Sequence, residues 1–461
     1  MNISTSRTIA VPPAPFVALA LLALALSACA TFSKDGGFDP VTQQTREHLD
    51  KEVRWSRSAA EQTKGDSEVA ALLAHPLSAE DAVQIALLNN RMLQASFEDL
   101  GISEADLVQS GRLPNPRFTL RHAGVAAQYD IEETLSFNVL SLFTAPYAHE
   151  IEARRFAQAQ SAVVIAVLRL ANETRQAYFS AVAAHESVSY LEQVRTAAEA
   201  GAELARRMVA AGNWNVLDQA REQSFYSDAV QRLTRAKLEE DATRESLLRL
   251  MGLSGAQPGF QLTDRLPDPP QNIENLPDIE QAVLQNRIDL RLKRMQIDEL
   301  AHSLGLTKAT RFVNVLDAGP TRVLQGAESQ PYERGYEVSL EVPLFDGGGA
   351  RVKRAEAIYS QAVDRFAQAV IEARSQIRLA YATYRANFDI AEQQRDQVVP
   401  TRKLIAAQNL LRYNASLISV FDLLADARGQ IASVDAYIQS VRDFWIAKSE
   451  LDTVLIGESS P

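Results

Sequence analysis

The chain has 461 residues, 47 basic against 58 acidic, with a formal net charge of −11 and a single cysteine. The acidic balance argues against nucleic acid as a partner, and one cysteine excludes any intrachain disulfide. The length permits two or three ordinary domains.

Residues 1–28 read as a removable secretory signal. Arg7 is the only charge, Phe16 to Leu26 is an apolar run, and Leu26-Ser27-Ala28-Cys29 places small residues before the cysteine. The run is too short and wrongly flanked for a membrane-spanning helix. A lone cysteine is ordinarily a buried apolar residue. Here the segment resembles the lipobox of bacterial lipoproteins, with Cys29 as the acylated residue. Ala30 in place of Asp resembles the pattern that proceeds to the outer membrane. Losing Arg7 takes the net charge from −11 to −12, which suits a conduit that repels anions and equally a solvated exterior.

Residues 29–77 are polar, with Lys34-Asp35-Gly36-Gly37 and Lys64-Gly65-Asp66, and are expected to form an extended arm after the lipid anchor. A first structural unit is expected over 78–270. It holds strands at about 116–125 and 130–140, a helix at about 146–211 starting on Pro146, and a return helix at about 216–251 stopped by Gly252. At 1.5 Å per residue the longer helix spans roughly 100 Å, wider than a monomeric core. Pro258, Pro267, Pro269, Pro270 and Pro277 mark a linker. A second unit, 271–461, is expected to hold strands at about 311–318 and 334–343 and helices at about 350–415 and 419–456. Pro400 predicts a kink in the first of these helices. Ala157, Ala159, Ala162 and Ala166, and again Ala355, Ala357 and Ala362, are expected on inward seams where helices approach closely. An antiparallel coiled coil would explain the helices by themselves.

The strands add something a coiled coil lacks. Tyr336, Val338, Leu340 and Val342 alternate with Glu337, Ser339 and Glu341, and Leu135, Phe137 and Val139 alternate with Thr134, Ser136 and Asn138. Period two suits a half-buried sheet or a membrane barrel with lipid on one side and water on the other. Four strands cannot close a barrel, so strands that span a membrane would have to be shared among chains; three chains would supply 12.

Both halves state one design. Leu135–Phe143 precedes Tyr336–Gly349 by about 203 positions, Ala211–Asp218 lies over Ala415–Asp422 at a shift of about 204, and Asn90–Leu93 lies over Arg287–Leu290 at about 197. Matches at nearly one offset point to an internal repeat. The expected fold is mainly α with a small β portion, built from a duplicated strand–strand–long helix–turn–helix unit.

Val342-Pro343-Leu344-Phe345-Asp346-Gly347-Gly348, Arg354-Ala355-Glu356-Ala357, Arg412-Tyr413-Asn414, Leu417–Leu424 and Asn213–Asp218, in this order and with a lipobox in front, carry a resemblance. Over roughly residues 78–456 the chain resembles the TolC family of outer-membrane efflux channel proteins, particularly the lipoprotein outer-membrane factors of tripartite pumps. The resemblance implies a homotrimer whose 12-stranded β-barrel crosses the outer membrane of a Gram-negative bacterium. A periplasmic α-helical barrel continues it, with no cofactor. It implies as partners outer-membrane lipid, a periplasmic adaptor (membrane fusion) protein and an inner-membrane pump. It also implies that the turns Gly212, Asn213, Val216 and Ser416, Leu417, Ile418, Ser419 meet the adaptor. Asp422 and Asp218, with Tyr413 nearby, match the gate; repeated acids around an axis would favour cations, while stabilisation of a helix N-terminus explains the same acids. Pro343, Phe345, Gly347, Gly348 and Gly349 form a flexible strand-to-helix passage. Three departures stand out. Ser416 replaces the turn glycine and predicts a different turn conformation there. Ala425 follows Asp422 where some relatives repeat an acid. Leu142–Tyr147 lacks the glycines of the second passage.

The six histidines are scattered, without a His/Cys/Asp cluster at ligand spacing. Ala350-Arg351 after the three glycines does not make a phosphate loop, so no enzyme is expected. The expected function is a passive exit duct of a tripartite efflux system. The alternatives are an adhesive or structural trimeric coiled-coil lipoprotein and the channel of a type I protein secretion system.

Overall fold

The computed structural model describes residues 31–125, 128–253, 260–273, 279–327 and 329–457; the signal and Cys29 lie outside them. In chain order the elements are α1 (Asp39–Leu49), α2 (Ala59–Leu72), α3 (Ala79–Asn89), α4 (Arg91–Ser110), β1 (Arg117–Val125), β2 (Gln128–Asn138), α5 (Val139–Ala210) and α6 (Val216–Leu250). Then come α7 (Ile279–Asn286), α8 (Ile288–Ala309), β3 (Leu316–Gly326), β4 (Glu333–Leu340), α9 (Gly349–Gln393), a π-helical turn (Gln394–Val398), α10 (Val399–Asn414) and α11 (Val420–Ile456). The protein is mainly helical with a small sheet, and the repeating unit is larger than the sequence suggests: a short helix pair precedes each strand pair. The chain divides into two compact units, one made of the described residues up to Phe38, Asp99–Gln160 and Leu292–Phe366, the other of Asp39–Glu98, Ser161–Arg291 and Ala367 onward.

The first unit carries the sheet. Its order is β1-β2-β3-β4, every pair antiparallel. β3 runs Leu316–Gly326, which corrects the expected strand at 311–318; its outer half, Thr321-Arg322-Val323-Leu324-Gln325, hides behind polar residues. Between β2 and β3 the pairing lapses at Leu135 and Ser136, opposite Pro320, which has no N–H to donate. Gly319 sits so close there that a Cβ would lie 1.7 Å from the Leu135 carbonyl oxygen. β4 stops at Leu340, short of the expected 343. Another correction falls on Pro146, which lies inside α5 rather than at its first position. Helix α5 starts directly after β2, because Asn138 Oδ1 accepts the Ser141 N–H at 2.7 Å as a cap. A helix that follows its strand without a loop explains why Leu142–Tyr147 holds no glycines.

The second unit holds most of the helical core. On α9 the buried residues are Ala369, Ala373, Ile377, Ala380, Tyr384, Phe388 and Ala391, spaced three or four apart as one helix face requires. The buried seam is therefore farther along than expected: Ala157, Ala159, Ala166, Ala355 and Ala362 are half-buried in the protomer, and Ala162 and Ala357 are exposed. Aromatic rings fill the seam. Phe444 lies 5.6 Å from Tyr384 and 5.1 Å edge-on to Trp445, which stacks on Phe179 at 5.4 Å. The π-helical turn accommodates Pro400. Its wider turn lets Val399 N–H reach Gln394 O, just before the residue that has no N–H and would crowd a carbonyl in a regular α-helix.

Residues 39–77 are not an extended arm. They form α1 and α2, and Val41, Val53, Trp55 and Val69 are buried. Trp55 Nε1 donates to Glu98 at 2.9 Å, and Arg54 binds both oxygens of Glu68 at 3.0 Å. Isolated apolar residues among polar ones gave no period to read. The linker is likewise docked: Trp445 Nε1 donates to Pro267 O at 2.8 Å, Arg395 to Pro269 O at 3.2 Å and Tyr437 Oη to Asp268 at 3.0 Å. Burial and the Asp268 carboxylate push the Tyr437 phenol up to about 12.

The repeat shows most clearly where the return helices end. Asn90 Nδ2 donates to Leu250 O at 2.9 Å, and Arg287 Nη1 donates to Val454 O at 2.8 Å, 204 positions on. Gly252 and Gly457 follow at φ +68 and +111, and a Cβ on either would fall within 2.7 Å of backbone atoms. Arg287 is 1% exposed and also grips both oxygens of Asp289. Replacing Arg287 by Met should cost about 3 kcal/mol, since a buried ion pair is broken. Asn90→Ala should cost about 1–2 kcal/mol. Denaturant titration of the detergent-solubilised protein, followed by far-UV circular dichroism, measures both.

Candidate functional site

Two features invite a functional reading, the faces of the sheet in the first unit and the two helical turns in the second. Antiparallel partners share a face, so the register sorts the strands. One face carries Arg117, Thr119, Arg121, Asp130, Glu132, Thr134, Ser136, Asp317, Thr321, Glu333, Glu337 and Ser339. It is polar, and its acids outnumber its bases. Arg121 approaches Glu132 at 4.0 Å, and Thr134 and Thr321 share a hydroxyl hydrogen bond at 3.0 Å. The opposite face carries Phe118, Leu120, Tyr129, Ile131, Leu135, Phe137, Leu316, Ala318, Leu324, Tyr336, Val338 and Leu340. Much of it is bare in the protomer: Phe118 is 63% exposed, Tyr336 83% and Leu340 55%. Soluble monomers rarely expose so continuous an apolar patch.

In the passage after β4, Pro343 follows the strand and Phe345 is fully exposed. Of its glycines only Gly348 is required by geometry. Its φ is +74, and a Cβ would lie 2.4 Å from Arg311 O. Asp346 accepts its N–H at 2.8 Å. Gly347 and Gly349 have room for a side chain.

The helical turns are two copies of one motif. After α5, Asn213 N–H reaches Met208 O at 2.9 Å and Gly212 N–H reaches Val209 O at 2.9 Å. After α10, Leu417 N–H reaches Arg412 O at 2.8 Å and Ser416 N–H reaches Tyr413 O at 2.9 Å. Gly212 has φ +76 and Ser416 φ +59. The expected difference at Ser416 is thus corrected: the serine takes the same left-handed conformation, and six-residue closure of the helix end outweighs its Cβ penalty.

The residues that follow cap the return helices. Asn215 accepts the Asp218 N–H at 2.8 Å, and Ser419 accepts the Asp422 N–H at 3.2 Å. Asp422 answers by accepting the Ser419 N–H at 3.2 Å, a full capping box. Sequence reasoning saw the acids and missed their partners, although Asn and Ser three residues before an acid is the signal of a cap. The two acids differ. Asp218 is largely covered and pairs with Arg221 at 3.2 Å; Asp422 is exposed. Around the turns Val216, Leu217, Leu417 and Leu411 are more than half exposed, and Tyr413 is 40% exposed. Farther along, α11 is pinned to α6 by Arg428, which donates to the buried Glu222 at 2.9 Å and lies 4.4 Å over the Phe225 ring. Asn409 on α10 donates to Asp426.

No protein-family model matches the chain. It is 22% identical over 391 residues to the cobalt-zinc-cadmium resistance protein CzcC of Cupriavidus metallidurans, covering 83% of this chain and 90% of that one. It is 23% identical over 343 residues to the proteases secretion protein PrtF of Dickeya chrysanthemi, covering 67% and 72%. The crystal structure of the Campylobacter jejuni CmeC outer membrane channel superposes with a TM-score of 0.68 at 16% identity, over 90% of this chain and 91% of that one. The chain has the fold of TolC-family outer-membrane channels.

Turn strain gives a direct test. Gly212→Ala should destabilise its turn by about 1 kcal/mol, whereas Ser416→Gly should relieve strain and stabilise by up to about 1 kcal/mol. Amide hydrogen exchange at residues 211–213 and 415–417 should move in opposite directions in the two variants.

Proposed function

We propose that this protein is the outer-membrane exit duct of a tripartite efflux system. It passively conducts substrates delivered by an inner-membrane pump through a periplasmic adaptor. The observation that carries the reading is the four-stranded sheet with one apolar face, one acidic face and two unpaired edges. In hydrocarbon an open edge is not tolerated, and β1 and β4 run antiparallel, so neighbouring copies can pair edge to edge. Three copies give 12 strands, an even number in the range of membrane barrels. Similarity to CzcC, to PrtF and to a solved outer-membrane channel over most of the chain supports the same reading. An adhesive stalk would have no use for such a sheet.

Within this reading the acidic face lines water and favours cations. Asp422 is the stronger candidate for the constriction, with Tyr413 beside it on the incoming helix, because Arg221 already offsets the charge of Asp218. The bare turns from Gly212 to Val216 and from Ser416 to Ser419 are the surface offered to the adaptor. Cys29 is the acylated anchor, four residues before Ser33, whose N–H and hydroxyl both donate to the buried Glu104.

Two measurements address these points. Single-channel recordings in planar bilayers should show cation-preferring conductance blocked by trivalent cations added at the side of the helical turns. Asp422→Asn keeps a side chain that can cap the helix and removes only the charge. It should weaken the block at least about tenfold, and Asp218→Asn should do less. Equal block in all three proteins would leave both acids as helix caps only. Separately, Cys29→Ser should abolish palmitate labelling and shift the protein out of the detergent-extracted membrane fraction; retained labelling would refute the anchor.

A further inference from the structure

The apolar face of the sheet changes character toward the hairpins. The register places Leu120, Glu133, Arg322 and Arg334 in one row across all four strands. On the side of this row where α4, α5, α8 and α9 join the strands, the face is Phe118, Leu135, Pro320, Tyr336, Phe137, Ala318, Val338, Leu316 and Leu340. These residues carry no charge. The row itself is cationic. Glu133 is held by Arg322 at 2.5 Å, whereas Arg334 is exposed and, among the described residues, has no carboxylate partner. One aromatic ring lies beside the row, and an aromatic pair lies farther toward the hairpin. The Arg322 guanidinium lies 5.3 Å from the centre of the Tyr332 ring, and Tyr129 lies 5.8 Å from His122.

In a chain of net charge −11, this face of the sheet sets two arginines, Arg322 and Arg334, against one carboxylate, Glu133, whereas on the acidic face the acids outnumber Arg117 and Arg121. Ile131 and Leu324 continue this face one step beyond the row, so the row lies near the outer limit of the apolar band. Arg334 to Val342 spans about 27 Å of extended chain, about 20 Å of depth at the usual strand tilt, close to the apolar band of about 25 Å in membrane barrels. An arginine placed where hydrocarbon ends meets headgroups, and a guanidinium recognises phosphate through paired hydrogen bonds.

We propose that Arg322 and Arg334, with Tyr332 beside Arg322, bind the phosphate groups of the phosphorylated glycolipid in the outer leaflet. The proposal rests on the exit-duct reading, which places the hairpin end of the sheet outermost. It gives the duct a lipid contact that fixes its depth, in addition to the anchor at Cys29.

The test uses the full-length protein in mild detergent and native mass spectrometry. The probes are diphosphorylated lipid A, its dephosphorylated form and phosphatidylglycerol. Wild type should bind diphosphorylated lipid A at least tenfold tighter than either other lipid. Arg334→Gln, which breaks no side-chain hydrogen bond or ion pair among the described residues, should lose most of that preference. Glu133→Gln, which frees Arg322, should retain or strengthen it. Equal binding of the three lipids by wild type, or an unchanged preference in Arg334→Gln, would overturn the site. Conductance of the same preparations keeps the two readings apart. A conducting protein without phosphate preference refutes the lipid site alone, and a non-conducting monomer refutes the duct and the site together.

Discussion

Everything in this molecule depends on the unpaired edges of its sheet. β1 and β4 present outward-facing backbone donors and acceptors along Arg117–Val125 and Glu333–Leu340. In water these groups are merely hydrated; in hydrocarbon each would cost several kcal/mol. The face above them is apolar and bare, so water does not suit the sheet either. The proposed duct would satisfy both demands, with copies of the chain joined edge to edge, apolar residues turned to lipid and polar residues to a shared interior. In the exit-duct reading proposed above, the exposed Tyr336, Val338 and Leu340 face lipid and are not defects of packing.

The helical part solves a different problem, that of ending long helices cleanly. It uses the same device twice. A left-handed residue closes each outgoing helix, and an Asn or Ser caps each returning one. At the far ends of the return helices Asn90 and Arg287 reach equivalent carbonyls with different chemistry, one amide and one guanidinium. Where the repeats differ, the backbone absorbs the difference. The π-helical turn before Pro400 is a local widening that keeps the path from α9 to α10 helical where a regular α-helix would have to break.

How much of this could be read from the chain follows from the range of each interaction. The turns, the long helices and the alternation at Tyr336–Val342 are local patterns, and they stand out in the sequence. β3 did not, because Pro320, Thr321, Arg322 and Gln325 give no apolar period; its extent is fixed by pairing with β2, nearly 190 residues earlier. The helices in residues 39–72 were hidden for the same reason, since Trp55 and Val41 gain meaning only from partners such as Glu98 on α4. The candidate gate acids were legible as residues and not as environments. Nothing in the letters says that Arg221 neutralises one of them while the other stays exposed.

The distribution of charge ties these elements into one physical argument. Acids line the polar face of the sheet, and an acid stands in the first turn of each return helix, behind its Asn or Ser cap. Of the sheet's arginines, Arg117 and Arg121 share the polar face with its acids, and Arg322 and Arg334 lie on the other. An acid in the first turn of a helix is stabilised by the N–H groups at the helix start. In the proposed duct such an acid can also form a charged ring, provided no nearby base cancels it. Asp422 meets that condition and Asp218, paired with Arg221, does not. The two repeats, nearly identical in backbone at the turn, are unequal in electrostatics, since one acid is paired and the other is exposed.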